Sequence, residues 1–379
     1  MSVEQTLAEL VAINSVSTNS NAEIIRYLAA RCEAMGFRVK LFPYRDEQNV
    51  EKVNMVAWAG TDEDDDGKID VELALVGHTD TVPFDAGWAE ALRLTERGGK
   101  LYGRGACDTK GFIAAALAAA AAAELRRLNR PLALCFTADE EVGCLGAKRL
   151  VEARPLSARY SVVGEPTSLR PMRAGKGYCL AEVLVRGREG HSAYPALGAS
   201  AIFRAARLVS RIERIGEELR ADTRPQFEPP YTTLNVGLIR GGTAKNIIAG
   251  ECRFTLEWRP VPGQAASHVV ELVRAGIEDE EARDEDFDCE LNVIRLDEAM
   301  ETPADSALVR LLEETTASAA GTIAFGTEAP QMAELGAEAV VFGPGDIRVA
   351  HRTGEFVPVE ELRECARVLS RTVEHFCLG

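Results

Sequence analysis

The stretch Glu72-Leu-Ala-Leu-Val76, running straight into Gly77-His78-Thr79-Asp80, decides the fold. A short apolar run bounded by a turn signal reads as a strand buried on both faces. Two more runs share this form: Leu132-Ala-Leu-Cys-Phe136 leads to Asp139-Glu140-Glu141, and Tyr160-Ser-Val-Val163 leads to Gly164-Glu165-Pro166. A fourth, Ala339-Val-Val-Phe342, precedes Gly-Pro-Gly and then Ala350-His351, while Asp108 stands just before Gly111 and a long alanine-rich helix pattern. Continuous apolar runs alternating with helices predict an α/β domain whose mostly parallel central sheet is covered on both faces. In such sheets ligands bind outside the carboxyl ends of the strands. The acidic and imidazole groups all fall on that edge, which scattered surface charge has little reason to do.

The chain of 379 residues is 46% hydrophobic, ample for roughly two or three cores. No stretch of about 18 strongly apolar residues occurs, so no membrane span is expected. Met1-Ser-Val-Glu-Gln lacks the basic-then-apolar order of a secretory leader, and the expected compartment is the cytoplasm. The nine cysteines are odd in number and lack CxxC spacing, which reads as reduced, mostly buried thiols. A formal charge of -16 argues against a nucleic-acid partner, because neutralising phosphates takes clustered Lys and Arg. The run Asp62 to Asp66 reads as a solvated hairpin tip, since it lacks the spaced ligands of a calcium loop.

From about Gly177 to Leu296 the pattern changes. Alternating Leu180, Glu182, Leu184 and Arg186 are followed by a helix pattern from Ala199 to Leu219, then strand patterns over Thr232–Ile239 and Arg253–Trp258. A second helix pattern runs from Gln264 to Ile277, and a last strand pattern covers Cys289–Ile294. Strand, helix, two strands, helix, strand is the order of a ferredoxin-like α+β unit. The fourth apolar run and His351 come after it, so this unit must be inserted into the larger domain. The expected division is a discontinuous catalytic domain, 1–176 and 298–379, around an insert at 177–297.

Two His and several carboxylates form a mixed nitrogen and oxygen donor set that suits Zn(II), with Co(II) or Mn(II) as substitutes. Asp108 is the natural bridge between two ions, which predicts His78 and Glu165 on one and Glu141 and His351 on the other. Glu140 and Glu141 are adjacent and point different ways, so one binds metal and its neighbour, Glu140, stays free as the general base. Asp80, two residues after His78, is expected to hold the second ring nitrogen of that imidazole.

Gly77-His-Thr-Asp-Thr-Val-Pro83, Gly103-Arg-Gly-Ala-Cys-Asp108-Thr-Lys-Gly111, Asp139-Glu-Glu141, Gly164-Glu-Pro-Thr167 and Gly190-His191-Ser together resemble the dinuclear zinc aminoacylase and carboxypeptidase family. Thr233-Leu-Asn-Val-Gly237, Arg259-Pro-Val-Pro-Gly263 and Gly326-Thr-Glu-Ala-Pro330 look like its deacetylase branch. The resemblance covers nearly the whole chain. It implies a zinc-peptidase catalytic domain with two Zn(II) per subunit, and an inserted lid that forms a homodimer. It also implies that His191 donates a hydrogen bond to the tetrahedral oxyanion, and that Asn246 and Arg259 contact the substrate carboxylate. Glu328 stands where other branches differ and is expected to pair with the side-chain ammonium of ornithine. The implied reaction removes acetyl from the α-nitrogen of N2-acetyl-L-ornithine, a small N-acylated amino acid. Another N-acyl amino acid, a succinylated diamino acid or a dipeptide are the alternatives, as is a metal-binding relative without catalysis. Relatives often have a cis peptide after the residue matching Asp108. They also often carry a Trp closely followed by Pro-Phe, whereas Gly87-Trp88-Ala-Glu-Ala-Leu has no such proline, which implies a different acyl-pocket wall.

Overall fold

A computed structural model describes residues 1–379, which divide into two compact units: Met1–Arg173 with Thr302–Gly321 and Thr327–Gly379, and Ala174–Glu301 with Thr322–Gly326. The first unit is built on six neighbouring strands of a larger sheet, in the order Arg38–Arg45, Glu51–Ala59, Leu132–Thr137, Ile69–His78, Leu156–Gly164 and Glu338–Phe342. The last four are mutually parallel and the first two are antiparallel additions. The parallel register places His78 opposite Thr137, Val76 opposite Val163, and Phe342 opposite Gly164. All four apolar runs therefore end on one edge.

Both faces of these strands are buried, which is why the runs are continuously apolar rather than alternating. On one face Leu73, Leu75, Leu134, Phe136, Val162 and Phe342 pack into a core with the helices Val3–Ala12, Ala22–Met35, Lys110–Ala122 and Val359–Val373. On the other, Ala74, Val76, Cys135, Val163 and Val341 are equally buried. The alanine-rich helix Lys110–Ala122 lies almost wholly in the interior, where short side chains let it approach closely. Its Phe112 ring fills the space beside Gly164, where a Cβ would sit 2.1 Å from the ring, so only glycine fits directly before Glu165. The nine cysteines are unpaired, and all but Cys289 are buried.

The second unit is an antiparallel sheet ordered Thr233–Gly241, Glu251–Arg259, Tyr178–Arg186, Asp288–Asp297, with the helices Ala201–Glu218 and His268–Glu281 between strands in the chain. That is the ferredoxin-like order read from the sequence. One sheet face, carrying Ala181, Val183, Phe254, Leu256 and Trp258, packs on helix residues Ala205, Leu208, Ile212, Val269 and Val273. Strand residues of alternate facing are polar or partly exposed, which explains the weaker, alternating pattern in the sequence. One expectation changes. The acidic run Asp62–Asp66 does not cap a hairpin, because Glu51–Ala59 and Ile69–His78 are separated in the sheet by Leu132–Thr137; it lies in a crossover connection, turned by Asp64 accepting from Lys68 N at 2.8 Å. No helix is long and apolar enough to cross a membrane.

Candidate active site

The strand ends place the carboxylates and imidazoles around Asp108. His78, 1% exposed at the end of its strand, directs Nε2 at Asp108 Oδ1, 3.0 Å away. The other oxygen, Asp108 Oδ2, is 3.1 Å from His351 Nε2, and that nitrogen is also 3.1 Å from Glu141 Oε2. The result is two donor groups that share one aspartate, His78 with Asp108 and Glu165, and Asp108 with Glu141 and His351; within each, the ligand atoms lie within 4.8 Å of one another. Asp108 is followed by a cis peptide to Thr109, whose Oγ1 donates to Asp108 Oδ1 at 3.1 Å and is 3.2 Å from Gly164 O. His351 is half-exposed and sits at a φ of +60°, a left-handed conformation that costs a non-glycine residue energy and turns its ring inward from the loop.

The turn carrying Glu140 and Glu141 is held from two sides. Asp139, at a φ of +57°, is gripped by Lys52 Nζ at 2.8 Å and by Tyr44 Oη at 2.8 Å. Asp80 accepts from Glu140 N at 3.1 Å, from Glu141 N at 3.3 Å and from Ser17 Oγ at 2.8 Å. Asp80 also faces His78: its carboxylate lies 3.7 Å from Nδ1 and its backbone carbonyl 3.0 Å from the same nitrogen. The carboxylate is occupied by amides of the neighbouring strand's turn, so it ties the His78 strand end to the pair of glutamates.

Electrostatics follow from crowding acids in a buried place. Burial pushes Glu140 up to about 8, with His78 opposing and Glu141 adding to the rise. Burial likewise raises Glu165, reinforced by Asp108 and Glu140, and raises Glu141. Against the downward pull of burial, Asp108 and Asp80 hold His78 well above the usual imidazole range. Hydrogen bonding to Asp108 and then Glu141 carries His351 to about 10. Asp108 stays low despite burial because both imidazoles face it. Such a cluster must take up protons or cations. Its nitrogen and oxygen donors, and the buried Glu141 Oε1 with no hydrogen-bond partner, fit divalent cations.

Glu328 immediately precedes the helix Ala329–Glu334 and is 1% exposed, with the Thr137 hydroxyl as its hydrogen-bonding neighbour. Burial pushes it up to about 7. The remaining candidates lie in the second unit. His191, exposed, pairs through its short strand with Ile247, and Ser192 N donates to Asn246 O at 3.1 Å, so His191 and Asn246 sit on neighbouring segments. Arg259 ends its strand, with Nε on Glu257 at 2.8 Å, Nη1 on Ala324 O at 3.2 Å and its guanidinium 3.9 Å over the Tyr178 ring. Trp88 is buried, with the Arg104 guanidinium 5.5 Å over its ring. Sequence reading missed Ser17, Lys52 and Glu355, which reach the site through contacts far apart in sequence and lie in no periodic pattern.

Comparison with known proteins adds a second line. The profile of peptidase family M20/M25/M40 matches residues 74–375. The chain is 57% identical over 376 residues to an acetylornithine deacetylase of Myxococcus xanthus, covering 99% of this chain and 97% of that protein. It is 34% identical over 372 residues to an acetylornithine deacetylase of Yersinia pseudotuberculosis, covering 97% and 94%. Among solved structures its fold is similar to an M20-family metallo-carboxypeptidase from Sulfolobus solfataricus, with a TM-score of 0.77 at 19% identity over 99% of each chain.

Proposed function

This chain belongs to the peptidase family M20/M25/M40, and on that premise we propose that it is a metal-dependent amidohydrolase converting N2-acetyl-L-ornithine to L-ornithine and acetate. The observation that carries the reading is the pair of donor groups sharing Asp108, with Glu140 alongside. The 57% identity to an acetylornithine deacetylase supports the substrate.

We assign His78, Asp108 and Glu165 to one Zn(II) and Asp108, Glu141 and His351 to a second, with Co(II) or Mn(II) able to substitute. When bound, such a pair supplies Lewis acidity, lowering the pKa of water and polarising the amide carbonyl. Glu140 takes the proton of the attacking water on its carboxylate and returns it to the departing α-nitrogen. Its burial raises its pKa, the direction that strengthens a carboxylate as a base. Asp80, by holding the amides of both glutamates, keeps Glu140 beside Glu141 and fixes which carboxylate is free. His191 stabilises the oxyanion, and Asn246 and Arg259 take the substrate carboxylate; a guanidinium supported by Tyr178 and Glu257 is suited to bind it in bidentate fashion. Glu328, a buried carboxylate with no cationic side chain paired to it, takes the ammonium of ornithine. Homodimerisation through the second unit is supported by the exposed edge strand Thr233–Gly241, where Leu238 and Ile239 are 60% and 53% exposed. A cytoplasmic location accords with the unpaired thiols.

The test is a substrate panel on zinc-reconstituted protein: acetylornithine, acetylated neutral amino acids, succinylated diamino acids and dipeptides. The expected result is the highest kcat/KM for acetylornithine. Preference for a dipeptide or a succinylated substrate would overturn the assignment, and no hydrolysis of any of them with two metals bound would favour a non-catalytic metal-binding protein.

A further inference from the structure

We propose that Glu355 is a positioning residue that sets Asp108 against His351, and so builds the place where the two donor groups meet. The proposal rests on the metal reading of the site. Glu355 lies four residues after His351 in Thr353-Gly354-Glu355, its side chain fully buried. Its Oε1 accepts from the backbone N–H of Cys107 at 2.9 Å and of Asp108 at 3.0 Å. Its Oε2 accepts from Gly105 N at 3.1 Å and from Arg104 Nη1 at 2.5 Å. The backbone of Glu355 closes the same link, since its carbonyl accepts from Gly103 N at 3.1 Å and its N–H donates to Arg352 O at 3.2 Å. One residue thus fastens the segment 103–108 to the loop that bears His351.

The physical argument is one of convergence. Three amides from a turning segment, aimed at one point, make an anion pocket, and here the anion is a carboxylate of the chain itself. A buried carboxylate persists only when fully engaged, and its charge-assisted hydrogen bonds are stronger than neutral ones. Arg104 completes the engagement and is itself fixed, its guanidinium over Trp88 and Nη2 donating to Pro83 O at 3.2 Å. Trp88 therefore stiffens this clamp. Asp108 has little latitude, because Oδ1 and Oδ2 each stand about 3 Å from a different imidazole. Loss of one amide anchor lets the loop turn and takes one oxygen away from its histidine.

The experiment titrates metal-free wild type, Glu355→Gln and Glu355→Asp with Zn(II) by calorimetry and with Co(II) by visible absorption. Glu355→Gln keeps the volume but turns an NH2 toward donors; Glu355→Asp keeps the charge but falls short of the amides. Both are expected to bind one equivalent roughly 10–100-fold more weakly, in the range found when groups supporting metal ligands are lost, with an altered Co(II) spectrum. Glu355→Asp is expected to show the smaller change, and kcat to fall more than KM rises. Wild-type affinities and spectrum in the folded variants, with only a lower Tm, would overturn the proposal and leave Glu355 a stability residue. Should the glutamine variant fail to fold, the aspartate variant alone decides in the same way. A wild-type chain that takes up no metal overturns the site reading instead, and this proposal with it.

Discussion

The two units handle their candidate residues in opposite ways. In the first, five side chains drawn from positions 78 to 351 form two triads that share Asp108, because parallel strands end on one edge and each loop starts beside the next. In the second, His191 and Asn246 lie in and beside a small two-stranded sheet and Arg259 ends a strand of the four-stranded one, and two of the three are exposed. A parallel sheet concentrates chemistry; an antiparallel one presents a surface. Changes in the first unit should therefore strike turnover and metal binding, and changes at Asn246 and Arg259 in the second should strike substrate affinity.

The largest expected effect is on the base. Glu140→Ala should lower kcat by about 10²–10⁴-fold with both metal equivalents still bound, as measured by steady-state kinetics and metal analysis. Loss of the metals together with turnover would erase the distinction between Glu140 and Glu141. Next, Arg259→Met should raise KM by about 10–100-fold with a smaller change in kcat, the loss of a charged hydrogen-bonding partner. A fall in kcat at unchanged KM would break the contrast between the units. Glu328→Gln sharpens it, since this first-unit residue should act on specificity: the kcat/KM preference for acetylornithine over acetylated neutral amino acids should fall by about 10-fold. An unchanged preference removes Glu328 from substrate recognition.

The smallest effect is on stability. Glu140 rises from 4.5 to about 8 and His351 from 6.5 to about 10 on folding, so the folded chain binds more protons than the unfolded one. Their contribution is complete below the lower value of each pair and is lost as pH climbs through the upper one. Calorimetry of chelator-treated protein should show Tm falling by roughly 5 °C between pH 5 and pH 8.5, with the zinc-loaded protein much flatter. A metal-free Tm that rose over this range would contradict the acid crowding.

The sheet was legible because its apolar runs are short, unbroken and punctuated by Gly, Asp or Glu, and each such end carried a chemically expressive residue. The ferredoxin-like order was legible from periodicity alone. What escaped reading were contacts spanning great sequence distance with no repeat to betray them. Ser17 reaches Asp80 across 63 positions, and Glu355 reaches Asp108 across 247. Asp80 shows both kinds of contact: adjacency to His78 was legible, whereas its bonds to amides 60 and 61 residues away were not.

That commitment has a consequence for anyone wishing to redesign the protein. Because one carboxylate clasps the amides of two successive glutamates, proton shuttle and cation holder move as a single body. Retuning either alone calls for work on side-chain length or local dielectric, whereas any change that loosens the clasp displaces both together.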